Sequence, residues 1–115
     1  MLSLYKLNLS SGELKRLTSG RFDRSPSCTP DGKWVVYKSN SAGIGHIMRI
    51  SSDGGMPVEL ATGAVAVPSV SPDGKLVVYE RSIGEGAKQK REFVILSIEG
   101  VPQYTCCLRR RQCNG

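Results

Sequence analysis

Apolar and polar positions in this chain fall into short runs, and the runs recur. PSCTPDGKWVVYKS at 26–39 and PSVSPDGKLVVYER at 68–81 agree at nine of fourteen positions. LYKLNLSSGELKRLTSG (4–20) aligns with IMRISSDGGMPVELATG (47–63) at an offset of 43. Apolar residues then coincide at Leu4/Ile47, Leu7/Ile50, Leu14/Pro57 and Leu17/Leu60, and glycines at Gly12/Gly55 and Gly20/Gly63. A weaker third copy opens at FVILSIEGVPQYT (93–105). The repeats lie near 4–46, 47–92 and 93–105, so one internal period organises nearly the whole chain.

Each period predicts four short strands joined by tight turns. From Val65 the order is VAVPSVS, the turn SPDGK, LVVYERS, the polar loop IGEGAKQKR, EFVILSI and the turn EGVP. No window carries a helical period, so the fold class is all-β. WVVY and LVVY are apolar at both alternating positions, which predicts strands buried on both faces. A buried antiparallel sheet must sit between neighbours, and repeated four-stranded sheets stacked face to face are the blades of a β-propeller. The count gives about two and a half blades and an incomplete ring.

The residues between the strands fit a turn. Pro30 and Pro72 preset φ for the first central position of a type I turn. Asp31 and Asp73 suit the next position, and Gly32 and Gly74 can take the positive φ of a bulged hairpin. The hydroxyls of Thr29 and Ser71 can bond to the local backbone. Every residue of the Pro-Asp-Gly motif thus has an architectural role.

Length and charge then narrow the picture. The 115 residues make one small domain, with thirteen glycines and six prolines for its turns. No run approaches the roughly 18 apolar residues of a membrane span. The N-terminus, MLSLYKLNLSSG, lacks the basic start and apolar run of a signal peptide, and the sequence leaves the compartment unknown. The net charge of +6 is concentrated late in the chain, where Arg109, Arg110 and Arg111 form a run in a basic, cysteine-containing tail, 106–115, expected to be unstructured. Without interleaved aromatic residues that run is a solvated tail rather than a nucleic-acid platform. Cys28 replaces Val70 of the other copy and is expected to be a small buried apolar residue. Cys106, Cys107 and Cys113 lack the spacing of a zinc site.

In these motifs the chain resembles the TolB-type six-bladed β-propellers. The likeness rests on the Ser-Pro-Asp-Gly-Lys turn, the apolar strand that ends in an aromatic residue, and the strand, Gly turn and Leu-Thr ending of LYKLNLSSGELKRLT, and covers residues 4–105. It implies an interaction platform; intact relatives are often periplasmic partners of a cell-envelope system. Related propellers accompany prolyl oligopeptidases, dipeptidyl peptidases, bacterial Ser/Thr kinases and winged-helix regulators. This chain departs by holding under three periods where closure needs about six, by starting inside a blade, and by a tail, QYTCCLRRRQCNG, that abandons the repeat. The expectation is a truncated piece of a larger protein with open faces, or a small meander that associates with itself.

Candidate chemistry is sparse. His46 is the single histidine; it starts a strand, with no nucleophile elbow near it. GIGHIM (43–48) and GEGAKQ (84–89) lack the third glycine and the helix of a dinucleotide loop. Asp31 and Asp73 lie on separate blades, on turns expected to point outward in a ring, so the two carboxylates are not expected to pair for acid–base work. Asn8 fits the short glycosylation pattern Asn-x-Ser/Thr. The loop GEGAKQKRE is longer than its counterpart, and Lys88, Lys90 and Arg91 give it a basic tip suited to a protein partner. The sequence therefore predicts a non-enzymatic protein-binding scaffold with no cofactor, no metal and no catalytic residue. Its expected partners are a protein and the remaining blades or a second copy. An accessory segment of a peptidase, kinase or regulator is the first alternative, and an anionic-surface or nucleic-acid binder through Arg109–Arg111 the second.

Overall fold

The computed structural model describes residues 2–20, 22–41, 43–84, 87 and 89–100, and the backbone of 102–107 and 113–114. Among these residues every named element is a strand: β1 (Tyr5–Leu7), β2 (Leu14–Arg16), β3 (Asp23–Cys28), β4 (Trp34–Ser41), β5 (Ile44–Ser51), β6 (Val58–Thr62), β7 (Ser69–Val70), β8 (Leu76–Ile83), β9 (Lys90–Ser97), β10 (Pro102–Cys107) and β11 (Cys113–Asn114). β3-β4-β5-β6 form one sheet, β7-β8-β9-β10-β11 a second, and β1-β2 a separate hairpin. All strand pairs are antiparallel. The molecule is thus a half-blade, a complete first blade and a second blade with one added edge strand.

The sheets take a different phase from the sequence repeats. The first blade runs from Asp23 to Thr62, so the repeat 4–46 joins a half-blade to the start of the next sheet. A period has no intrinsic starting point; the tight turns decide where a sheet begins. Of the expected tail 106–115, the backbone of 106–107 and 113–114 is described. β10 carries through Cys106 and Cys107, and Cys106 pairs with Cys113. The edge of β9 is a ready template for further pairing, whatever side chains follow.

Burial follows the doubly apolar strands. In β4, Val35, Val36 and Tyr37 are 6%, 0% and 2% exposed. Val35 and Tyr37 join Leu4 and Ile50 in a core between the half-blade and the first blade. Val36 points the other way, into a core with Ile47, Val77, Tyr79, Val94 and Leu96 between the two blades. Each such side chain contributes about 1.5–3 kcal/mol when fully buried. Among the described residues the two faces of β8 differ: Val77 and Tyr79 are buried, while Leu76 and Val78 are half-buried. The arrangement is open, as the period count predicts.

Candidate functional site

The Pro-Asp-Gly turns are closed by their own side chains. Gly32 and Gly74 sit at φ of 74° and 75°. Thr29 Oγ1 donates to Asp31 Oδ1 at 2.6 Å, the Lys33 amide donates to the same oxygen at 2.9 Å, and the Trp34 amide donates to Thr29 Oγ1 at 3.1 Å. Ser71, Asp73, Lys75 and Leu76 repeat this pattern at 2.5, 2.9 and 3.0 Å. The hydroxyl bond, then the amide bond, holds each carboxyl below its ordinary value of 3.8. Each carboxylate is engaged within its own turn.

The two turns lie against each other. A Cβ added at Gly74 would lie 3.0 Å from Pro30 Cδ and 3.5 Å from Thr29 Cβ. β3 and β7, the inner strands that lead into these turns, also touch. The blades are stacked closely enough at this end for successive turns to abut.

The expected partner loop lies at the opposite end, because alternate connections of a meander share an end. Lys88 falls outside the described residues. Lys90 and Arg91 are strand residues of β9 rather than loop residues, opposite Ile83 and Ser82. Arg91 Nη1 donates to Glu80 Oε1 at 3.1 Å, so its charge is tied to the neighbouring strand. One register position further in, Arg81 Nε donates at 2.5 Å to Glu92, which is buried.

The remaining candidates have local partners. His46 Nδ1 faces the Glu59 carboxylate across β5 and β6. Asn8 Oδ1 accepts from the Ser10 and Ser11 amides at 2.9 and 3.1 Å, shaping the β1–β2 turn. Among the described residues no group of three His, Cys, Asp or Glu side chains could hold a metal ion. Arg109, Arg110 and Arg111 lie outside the described residues, and of Cys106, Cys107 and Cys113 only the backbone is described. Among the described residues no helix is long and apolar enough to cross a membrane.

Cys28 overturns its expectation: it is exposed, whereas its counterpart Val70 is half-buried against the inter-blade core. The reason is geometric. The hairpin β1–β2 covers only part of the first blade and leaves a cleft of about 350 Å³ lined by Leu4, Leu17, Pro26, Cys28 and Val35. A second apolar hollow of about 270 Å³, lined by Val70, Pro72, Leu76, Val78 and Ile95, lies on the open face of the second blade.

Sequence reasoning missed the cation that spans the blades. Arg49 stacks on Trp34 with its guanidinium carbon 4.5 Å from the ring centroid, and its Nη1 donates to the Ile98 carbonyl at 3.0 Å. Lys6, its counterpart at the offset of 43, donates to the Ser52 carbonyl at 3.0 Å. Ser52 and Ile98 each follow the last residue of the third strand in their blade. One basic residue of the half-blade and one of the first blade therefore each hook the blade that follows. The signal was available, a cation at the same place in two apolar strands, but only a known stacking gives it meaning.

Fold and site together define a class: stacked blades of a β-propeller whose exposed features are turns, blade faces and edges. No family model matches the chain. It is 38% identical over 55 residues to the Tol-Pal system protein TolB of Nitrosospira multiformis, covering 48% of this chain and 13% of that relative. The crystal structure of TolB from Acinetobacter baumannii matches with a TM-score of 0.74 at 24% identity, over 97% of this chain and 27% of that one. An acylaminoacyl peptidase in complex with a chloromethyl ketone matches with a TM-score of 0.75 at 12% identity, over 91% of this chain and 20% of that one. Identities this low show the fold alone. The chain has the fold of stacked β-propeller blades and is similar in sequence to part of TolB, and it spans a small share of the length of the curated relatives it matches.

Proposed function

We propose that the chain is a non-enzymatic protein-binding module of the TolB type, serving as a scaffold that offers loops at a propeller rim. The observation that supports this most is the fate of its polar side chains. Asp31, Asp73, Asn8 and Arg49 are spent on turns and blade contacts, and His46 faces Glu59, so what is left for recognition is shape and surface. The longer loop around Gly84–Gln89, with Lys88 and the neighbouring Lys90 and Arg91, is the first candidate contact. The curated relatives carry the name of a Tol-Pal system, which suggests Pal as the partner to try. Calorimetric titration of this chain with purified Pal is expected to give 1:1 binding at micromolar affinity. No heat at roughly 100 µM, an affinity too weak for a specific complex, would overturn this reading.

A further inference from the structure

The chain carries three Asp-Gly pairs, Asp31-Gly32, Asp53-Gly54 and Asp73-Gly74. Such a pair can close on itself. The glycine nitrogen attacks the protonated carboxyl of the aspartate, water leaves, and a five-membered succinimide forms. Glycine favours the step because no Cβ hinders the approach. Water then opens the ring at either carbonyl. One opening restores aspartate; the other gives isoaspartate, whose main chain runs through Cβ and Cγ. Over the two steps no atom is gained or lost.

The three turns share half of the required geometry. Gly32, Gly54 and Gly74 all have positive φ, and each amide donates at 2.9 Å to the carbonyl three residues before it. All three aspartates are exposed. The carboxyls separate them. Asp31 Oδ1 accepts from Thr29 Oγ1 and the Lys33 amide, and Asp73 Oδ1 from Ser71 Oγ and the Lys75 amide. These bonds fix each carboxylate and favour its charged form, which is a poor target because an oxygen must leave as water. Asp53 also follows a serine at two residues' distance, but Ser51 Oγ accepts from the Asp53 amide, at 3.2 Å. Among the described residues the Asp53 carboxylate meets Lys6 Nζ, at 3.8 Å, and its side chain is 93% exposed. After Gly54 comes Gly55, at φ 106°, where the other two turns have a lysine. A Cβ added at Gly55 would meet nothing within 4 Å, so this turn has room to bend.

We propose that Asp53 is a self-modification site, at which the chain converts to isoaspartate while Asp31 and Asp73 stay intact. The product has a defined setting. Lys15 Nζ donates to the Asp53 carbonyl at 2.8 Å, and Lys6 Nζ lies by the Asp53 carboxylate. Conversion exchanges these two groups. The carbonyl at Lys15 becomes the free carboxylate, and the carboxylate at Lys6 becomes a peptide carbonyl. The negative charge thus passes from one lysine of the half-blade to the other, at the turn where Lys6 hooks the first blade.

The test ages the full folded chain in oxygen-18 water at neutral pH, beside the same chain unfolded in guanidinium chloride. Peptide mapping reads isoaspartate and incorporated oxygen at each pair. In the folded chain Asp53 is expected to convert at least about tenfold faster than Asp31 or Asp73, the scale set by hydrogen bonds to a charged group. In denaturant the three rates are expected to converge. Ser71→Ala removes one bond to Asp73 and is expected to raise the rate there, with Asp53 as the internal reference. Equal rates at the three pairs of the folded chain overturn the proposal. The same preference for Asp53 in denaturant also overturns it, since the local sequence alone would then explain the preference. So does a folded Asp53 that stays intact while the unfolded chain reacts, or a rate at Asp73 that Ser71→Ala leaves unmoved.

Discussion

Gly32 and Gly74 have nearly the same backbone, φ 74° and 75°, yet different neighbours. A Cβ on Gly32 meets nothing within 4 Å, whereas one on Gly74 presses on Pro30. Gly32→Ala should cost only the left-handed penalty, about 1 kcal/mol. Gly74→Ala should cost that plus the contact, about 2 kcal/mol, so urea melts of the two variants should rank them in that order. Equal midpoints would mean that the turns do not abut. The carboxyls beside these glycines make a second prediction. Their folded values are depressed, so their stabilisation is present above the ordinary 3.8 and disappears as pH falls through the lowered folded values. An Asp31→Asn, Asp73→Asn double variant should be less stable than the parent at neutral pH. It should lose less stability on acidification below about pH 4, as read from urea midpoints across that range. At this scale the sequence was legible where chemistry is local. Proline, aspartate, glycine and hydroxyl each have one geometric use in a tight turn. Cys28 was not legible, because its exposure depends on which strands stand opposite, a fact no neighbour in sequence carries.

Among the elements, β4 explains most of the stack. It is apolar at consecutive positions because each face meets a different sheet, Val35 and Tyr37 one and Val36 the other. Burial pushes the Tyr37 hydroxyl up to about 12, with the Asp23 charge adding to it. The next register position belongs to the cations. Arg49 couples β5 to the carbonyl of Ile98 while lying on Trp34. Arg49→Ala should destabilise the chain by about 2 kcal/mol, the scale of a lost charged hydrogen bond with some stacking, measured by chemical denaturation. Arg49→Lys should recover part of this, since Lys6 makes the equivalent contact with an ammonium group. If Arg49→Ala proves neutral, the hook is a passive contact. Strand number, turn positions and the double burial of β4 were readable from alternation. The phase of the blades was not, because a repeat reads the same from any start. Nor was the pairing of β10 with β11, which the basic, cysteine-bearing letters of the tail concealed.

The whole molecule presents its inside at both ends of the stack. On the second blade Val78, Ile95 and Phe93 occupy the places that Val36, Arg49 and Ile47 take on the first, by strand register. Val36 and Ile47 are fully buried, while Phe93 is 36% exposed and Val78 only half-covered. An isoleucine where the first blade has its hooking arginine makes the open face more apolar than the internal one. Such faces seek cover from another sheet, and head-to-tail contacts that do not close by rotation propagate. The central claim, an open stack of propeller blades with one uncovered face on the second blade, is tested most directly by light scattering across a concentration series, on the chain and on its Val78→Glu variant. The account predicts a mass that rises with concentration for the parent and stays at one chain for the variant. A parent that remains a single chain at every concentration would contradict it.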